Sequence, residues 1–400
     1  MSHIAFINIG MHGYINPTLP VVAELVRRGH SVTYHTSPAF AGKIEATGAR
    51  VCLYAGTDLA VPEPPIPLAM MAGLGRTAVA LLPGVLADLR AARPDLIVHG
   101  AACPWGAVAA RELGVPAAAT FTTFAFNART PSPTRLSWPL LQAAARYPAL
   151  ALDYLRARMT LQRTYHADTL PLLDLMNARG GLNLVFTTPD FQPDGAGFDA
   201  SYRFVGASVG ARPVDVPFDV QVHESPLVYV SLGTVFDAGP ALLRTLAEAL
   251  SPLAGTVVVA TGQVDPGALA AAGANVIVRR SVPQLQVLRH AALFVTHGGM
   301  NSVNEAMVAG VPVLVIPQGA DQPMVARRVC DVGAGLALGK DEVDVATVQR
   351  LARRILADPR FREAADAQRG SHLSAGGAAR AADEIETFVS RGVPRPTRND

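Results

Sequence analysis

Apolar positions along the chain fall into short β-rich runs separated by stretches of helical spacing. HIAFINIG (3–10) has strand composition, and PTLPVVAELVRRG (17–29) reads as a helix with Pro17 near its first turn and Gly29 at its end. SVTYHTS (31–37), a helix ending at Gly48 and the short strand RVCLYA (50–55) follow. DLIVHG (95–100), a helix over 104–113 and VPAAATF (115–121) continue the alternation. This rhythm predicts a parallel sheet covered by helices. It restarts with LVYVSLGT (227–234), a helix over 240–252, TVVVATG (256–262) and NVIVRR (275–280). A helix from Pro283, LFVTHGG (293–299), a helix from Asn301 and VPVLVIP (311–317) complete a second doubly wound unit.

Three segments interrupt the pattern. Residues 56–75 are rich in Pro, Gly and Met, and 127–180 are mostly helical and carry aromatics. Both are candidates to shape a ligand pocket at strand ends. The Pro-rich, polar stretch GARPVDVPFDVQVHESP (210–226) reads as a linker. We therefore expect a first domain over 1–212, a second over 225–375, and a last helix, 376–392, as a candidate to pack back on the first. Four hundred residues also exceed what one core usually serves.

Composition narrows the class. Half of the residues are hydrophobic, 16% are charged and the net charge is +2 without a dense basic block, which argues against nucleic acid. Cys52, Cys103 and Cys330 have no paired or metal-ligand spacing and read as buried thiols of a cytoplasmic protein. The most apolar stretch, 68–89, is interrupted by Arg76 and Pro83. It reads as part of a soluble protein rather than a membrane span, though one that could touch a greasy ligand.

His297-Gly298-Gly299 closes a strand and Asn301-Ser302 opens a helix. Unpaired N–H groups at such a start favour an anion, and the glycines permit close approach. Glu305, three residues beyond Ser302, also fits an ordinary capping box, so both readings stand at this point. The wider set SLGT (231–234), VPQLQVL (282–288), HGGMNS (297–302), Glu305 and ADQP (320–323) resembles the donor-binding signature of GT-B glycosyltransferases. The family meant is the one that includes macrolide and plant secondary-metabolite enzymes. GMHGYINP (10–17) and CPWGAVAARELGVP (103–116) extend the resemblance over nearly the whole chain.

The resemblance implies an α/β GT-B fold of two Rossmann-like domains facing a cleft. The first would bind an acceptor and the second a UDP- or TDP-sugar. It implies that Thr234, His297, Gly299, Asn301 and Ser302 hold the donor diphosphate. Val282 and Gln284 would lie beside the base, Glu305 would take the ribose hydroxyls, and Asp321 and Gln322 the sugar. Each role suits its residue type, since a carboxylate accepts from paired hydroxyls while neutral donors and a helix start hold a diphosphate. Ser281 stands where many plant relatives carry Trp, which leaves uridine and thymidine as alternatives. No DxD-like pair lies near these elements. The implied reaction is metal-independent and needs no cofactor beyond the nucleotide sugar, the helix dipole and the histidine balancing the diphosphate.

His12, between Gly10 and Gly13, is by itself a base, a phosphate ligand or a packed strand-end residue. It follows the first strand, where open α/β sheets place ligands. GMHGYINP matches the family segment whose histidine deprotonates the acceptor hydroxyl, and an imidazole pKa of about 6.5 suits that task. In many members an aspartate before the PWG-like helix orients this histidine. Gly100 stands there, and Asp95, five strand steps or roughly 16 Å away, is no substitute. Either another residue orients His12, or the acceptor is acidic enough to need no strong base, or activity is weak. His99 reads as a packed strand residue. The gap predicts that Gly100→Asp raises turnover on aliphatic alcohols more than on phenols.

Met70, Met71, Phe121 and Phe124 are expected to line an apolar acceptor pocket. The expected enzyme is an inverting transferase moving glucose or a related hexose to a small hydroxylated natural product such as a macrolide, polyketide or phenol, as a monomer or homodimer. Alternatives are a TDP-deoxysugar transferase of antibiotic biosynthesis, an epimerase or cell-wall transferase on the same fold, and a non-catalytic nucleotide-sugar-binding partner.

Overall fold

Strands that are apolar on both faces need cover on both faces, and the first sheet shows how the sequence meets that demand. In the computed structural model, which describes residues 1–55, 66–127, 129–130, 137–167, 176–210, 226–233, 239–269 and 273–391, the chain divides into two units. One comprises Met1–Gly210 with Ala375–Asp400, the other Ala211–Ser374. Residues 56–65, the linker stretch 211–225 and Thr234 lie outside the described residues.

Among the described residues the first unit carries seven parallel strands: β1 (His3–Ile7), β2 (Ser31–Thr36), β3 (Arg50–Leu53), β4 (Leu96–Gly100), β5 (Ala117–Phe121), β6 (Leu182–Val185) and β7 (Tyr202–Phe204). Their order is β3-β2-β1-β4-β5-β6-β7, so the direction of winding reverses between β1 and β4. Ile7 sits level with His35 of β2 on one side and His99 of β4 on the other. Side chains alternate along β1. Ala5 and Ile7 join a core with Met71, Leu74 and Trp105 under the helices Pro67–Ala92 and Pro104–Leu113. Ile4 and Phe6 join another with Leu25, Tyr34, Ala381 and Ile385.

That second layer is built by the helices Leu19–Arg27 and Gly377–Ser390. Arg28 fastens them, its Nη1 donating to Asp383 and Glu386 at 2.7 Å each, while Gly377 N–H donates to the Val205 carbonyl at 2.7 Å. The C-terminal helix is thus part of the first unit.

The apolar stretch 68–89 lies within one continuous helix, Pro67–Ala92, that runs through Pro83. Pro83 and Gly84 fall on its exposed face, where water can reach a carbonyl left without its helical N–H. Of its most apolar window 67% is buried inside the protein. Of the three thiols expected to be buried, Cys103 is, whereas Cys52 is intermediate and Cys330 is exposed.

The second unit repeats the plan with β8 (Leu227–Ser231), β9 (Thr256–Ala260), β10 (Val276–Arg279), β11 (Ala291–Thr296), β12 (Val313–Val315) and β13 (Gly335–Ala337), in the order β10-β9-β8-β11-β12-β13. Val228, Val230, Val257, Val259, Leu293 and Val295 form one core face with Leu243, Leu246 and Ile355 of covering helices. The winding reverses between β8 and β11, which opens the carboxyl ends of those strands to a ligand.

Candidate active site

The loops leaving β8, β11 and β12 come together around His297. Gly233, two residues past β8, has φ +81, and a Cβ there would lie 2.9 Å from His297 Cε1. Gly298 has φ +83, a conformation that side chains rarely adopt, and its position abuts Val315 and the Gln322 carbonyl. A Cβ on Gly299 would fall 2.4 Å from His297 Nε2. The imidazole therefore occupies space that exists only because its neighbours lack side chains. Desolvation pulls its pKa down to about 4, opposed by a hydrogen bond with the Ser231 backbone. His297 is neutral near pH 7 and offers a hydrogen bond rather than a charge, which narrows the electrostatic role expected of it.

The helix Met300–Ala309 starts immediately beyond, with Gly299 as an N-cap lacking any side chain to bond the first turn. Its first-turn N–H groups and dipole thus point out of the helix start carrying Asn301 and Ser302. The capping box read from Ser302 and Glu305 does not form. Because the helix begins at Met300, Ser302 already lies inside the first turn, and Glu305 turns toward the helix Gln284–Leu288. There Gln284 Nε2 donates to Glu305 Oε2 at 2.7 Å and reaches Ser302 Oγ at 3.4 Å. The Tyr229 hydroxyl donates to Gln284 Oε1 at 3.1 Å, fixing which end of the amide faces Glu305. Tyr229 escaped the sequence reading because a buried strand tyrosine looks like core. It does stack on Phe294, with centroids 4.7 Å apart. Val282 is half-buried in the connection between β10 and that helix.

Asp321 and Gln322 begin the helix Gln322–Asp331 after the turn Gln318–Ala320. Gln322 is buried, and its side-chain Oε1 accepts from the Gln318 and Gly319 backbone N–H groups at 2.6 and 3.1 Å. It shapes the turn, which leaves its amide nitrogen for other partners. Ala320 takes a left-handed φ of +55, the strain accompanying this tight bend. Among the described residues no group of three or more His, Cys, Asp or Glu side chains is placed to hold a metal.

In the first unit His12 starts the short helix His12–Ile15 beyond β1, exposed, with its ring edge-on to Phe40 at 4.9 Å between centroids. Lys43 Nζ lies 3.5 Å from His12 Nδ1. The place expected for an aspartate is filled: a Cβ on Gly100 would lie 2.5 Å from Asn8 Oδ1. Asn8 is buried, its Oδ1 accepting from Ile9 N–H and its Nδ2 donating to the Tyr14 carbonyl and Tyr34 hydroxyl. It braces both ends of the turn that carries His12.

His99 is packed on β4, with Nδ1 3.0 Å from the Gly100 carbonyl and a pKa lowered to about 4 by burial. The expected acceptor lining is corrected by packing. Met71, Phe121 and Phe124 are closed into the core at 0–1% exposure, Phe124 against Phe191, and only Met70 is partly open. The Met71 side of the helix Pro67–Ala92 faces the sheet, which the Met-Met spelling does not reveal.

A family model described as UDP-glucoronosyl and UDP-glucosyl transferase matches residues 212–372. The chain is 32% identical to the NDP-glycosyltransferase YjiC of Bacillus subtilis over 97% of its length and 98% of that protein's. It is 32% identical to the oleandomycin glycosyltransferase of Streptomyces antibioticus over 96% of this chain and 90% of that one. Among solved structures, the calicheamicin glycosyltransferase CalG4 superposes with a TM-score of 0.82 at 32% identity, covering 98% of this chain and all of the other.

Proposed function

The chain belongs to this UDP-glucoronosyl and UDP-glucosyl transferase family, as a GT-B nucleotide-sugar glycosyltransferase of the antibiotic and natural-product type, and we propose that it performs an inverting, metal-independent transfer. The sugar is glucose or a related hexose from a UDP- or TDP-donor, and the acceptor is a hydroxyl of a small apolar natural product. The observation that carries the reading is the cluster at the carboxyl ends of β8, β11 and β12. It combines a neutral imidazole among glycines, a ten-residue helix start without a side-chain cap, and the Gln284–Ser302–Glu305 network beside it. In this proposal His297, Gly299, Asn301 and Ser302 take the diphosphate, with Thr234 as a further donor. Val282 and Gln284 flank the base, Glu305 receives the ribose hydroxyls, and Asp321 with the Gln322 amide meets the sugar.

In the first unit, the acceptor domain of this reading, His12 meets the acceptor oxygen and takes its proton where that oxygen arrives protonated, and Met70 contributes apolar surface. The acceptor oxygen bonds the anomeric carbon, the bond to the diphosphate breaks, and the nucleoside diphosphate leaves with the electron pair. Charge grows on the leaving group, so the helix start and the His297 N–H give their stabilisation there. Burial of most of the apolar helix Pro67–Ala92 supports a core helix rather than a membrane span, in keeping with the cytoplasmic enzyme of this proposal.

Commitment of the Gln322 oxygen to the 318–319 backbone favours one second reading, a TDP-deoxysugar donor that needs fewer hydroxyl partners. Incubation with UDP-glucose, TDP-glucose and a TDP-deoxyhexose against macrolide and phenolic acceptors, read by mass spectrometry with and without EDTA, separates these readings. A β-glycoside from an α-linked donor is expected. Retained configuration, or loss of product in EDTA, refutes the mechanism.

A further inference from the structure

His12 meets a cation on its β2 side, while the β4 side, where a carboxylate would be looked for, is filled by Asn8. Lys43 lies on the helix Ala41–Glu45, just past the turn Pro38–Phe40 that follows β2. The buried Phe40 ring supports both partners, with the His12 ring edge-on to it and Lys43 Nζ 6.0 Å from its centroid. The Nζ to Nδ1 distance of 3.5 Å is long for a hydrogen bond but brings the charge onto one nitrogen of the ring. Asn8, fully engaged in bracing the turn, occupies the side from which Gly100 would present a carboxylate.

From this arrangement, and resting on the reading that His12 meets the acceptor oxygen, we propose that Lys43 is a positioning residue. It acts through His12 to select acceptors whose oxygen is acidic: phenols, enols or carboxylic acids rather than aliphatic alcohols. An ammonium group has three donors and no acceptor. Its contact with Nδ1 keeps a lone pair on that nitrogen and leaves the ring proton on Nε2. The other edge of the imidazole then donates instead of accepting. An acceptor arriving as an oxyanion is held by Nε2–H and forms its bond to the anomeric carbon. The carbon–diphosphate bond breaks with its electrons going to the diphosphate, and no proton has to move. A neutral alcohol must pass its proton to Nε2, which requires the opposite tautomer and release of Lys43. A unit charge at this distance from a solvent-exposed ring shifts such an equilibrium about fivefold.

The test uses the full-length protein labelled with ¹⁵N-histidine, the His12 signals being assigned by their loss in His12→Gln. Wild type is expected to show an unprotonated Nδ1 and a protonated Nε2. Lys43→Met is expected to shift the ring toward the Nδ1–H form and Lys43→Arg to restore it. In parallel, kcat/KM with UDP-glucose is measured over substituted phenols and benzyl alcohols of matched size. The phenol-to-alcohol ratio is expected to fall about fivefold in Lys43→Met and to recover in Lys43→Arg. An unchanged tautomer in Lys43→Met, or equal losses on both acceptor classes, overturns the proposal. Wild-type protein that transfers to no acceptor from UDP-glucose, TDP-glucose or a TDP-deoxyhexose would instead overturn the function proposed above, while the nitrogen shifts still decide whether Lys43 sets the His12 tautomer.

Discussion

Replacing Gly299 by Ala probes the proposed diphosphate cradle without removing any of its hydrogen-bonding groups. Gly299 sits at φ −61 and ψ 135, a conformation open to alanine, so backbone strain contributes little. The added carbon would lie 2.4 Å from His297 Nε2 and 3.1 Å from Cε1. Ordinary contact between such atoms starts at about 3.5 Å, so the ring must retreat by about 1 Å. Gly233 also abuts the ring, close enough that a Cβ there would be 2.9 Å from Cε1, and this limits where the ring can go. Overpacking of this kind costs about 1–3 kcal/mol of stability. Displacing the N–H from a phosphate oxygen forfeits a hydrogen bond to a charged group, about 1.5–3 kcal/mol, or roughly 10- to 150-fold in UDP affinity. Isothermal titration with UDP measures the second effect, urea denaturation the first, and His297→Ala should match the affinity loss. A folded Gly299→Ala protein that binds UDP within about twofold of wild type would refute the assignment of His297 to the diphosphate.

Gly100→Asp is now expected to destabilise by about 1–3 kcal/mol in urea denaturation, because its Cβ meets Asn8 Oδ1 at 2.5 Å. It should bring no gain on aliphatic alcohols, and a variant as stable as wild type would show that Asn8 turns aside. Glu305→Gln should raise the KM for UDP-glucose about tenfold through loss of the charged acceptor, with folding intact. An unaltered KM argues against the ribose role. His99 binds its proton more weakly folded, at about 4, than at its ordinary 6.5, so the folded state loses stability as pH falls from 6.5 toward 4. The loss is on the order of 3 kcal/mol when complete. Denaturation midpoints followed over that window should fall less steeply in His99→Gln by that share, the part carried by His297 remaining, and a slope unchanged from wild type would assign the pH dependence to other groups.

The local arrangement of the candidate site in the second unit was legible because its information is local. A strand end, two glycines and a helix start occupy consecutive residues, 291–309, and the chemistry of an anion site follows from that order. What was misread there is orientation. Ser302 and Glu305 have capping-box spacing, yet the helix starts at Met300 and turns Glu305 toward Gln284 and thereby Tyr229. Strands β6, β7 and β13, each three or four residues long, went unnoticed. On the acceptor side, Met71, Phe121 and Phe124 have the composition of a pocket lining and the burial of a core, and composition does not separate the two.

The partner of His12 shows why the acceptor half resists a linear reading. In a doubly wound sheet a residue leaving the first strand has two neighbouring strand ends, and here Ile7 is level with His99 on the β4 side and His35 on the β2 side. The family pattern points along β4, where Gly100 leaves a gap. The structure closes that flank with Asn8, four residues before His12, and brings Lys43 from the segment after β2, eight residues beyond His35. Parallel pairing of β1 with β2 is what joins residues 31 positions apart, and Phe40 between them fixes the approach. A carboxylate on the β4 flank would stabilise an imidazolium; a cation on the β2 flank opposes it and favours a negative oxygen instead. The identity of the flanking strand thus bears on which acceptor oxygen this site can use, and Lys43→Met is the substitution in which that choice becomes measurable.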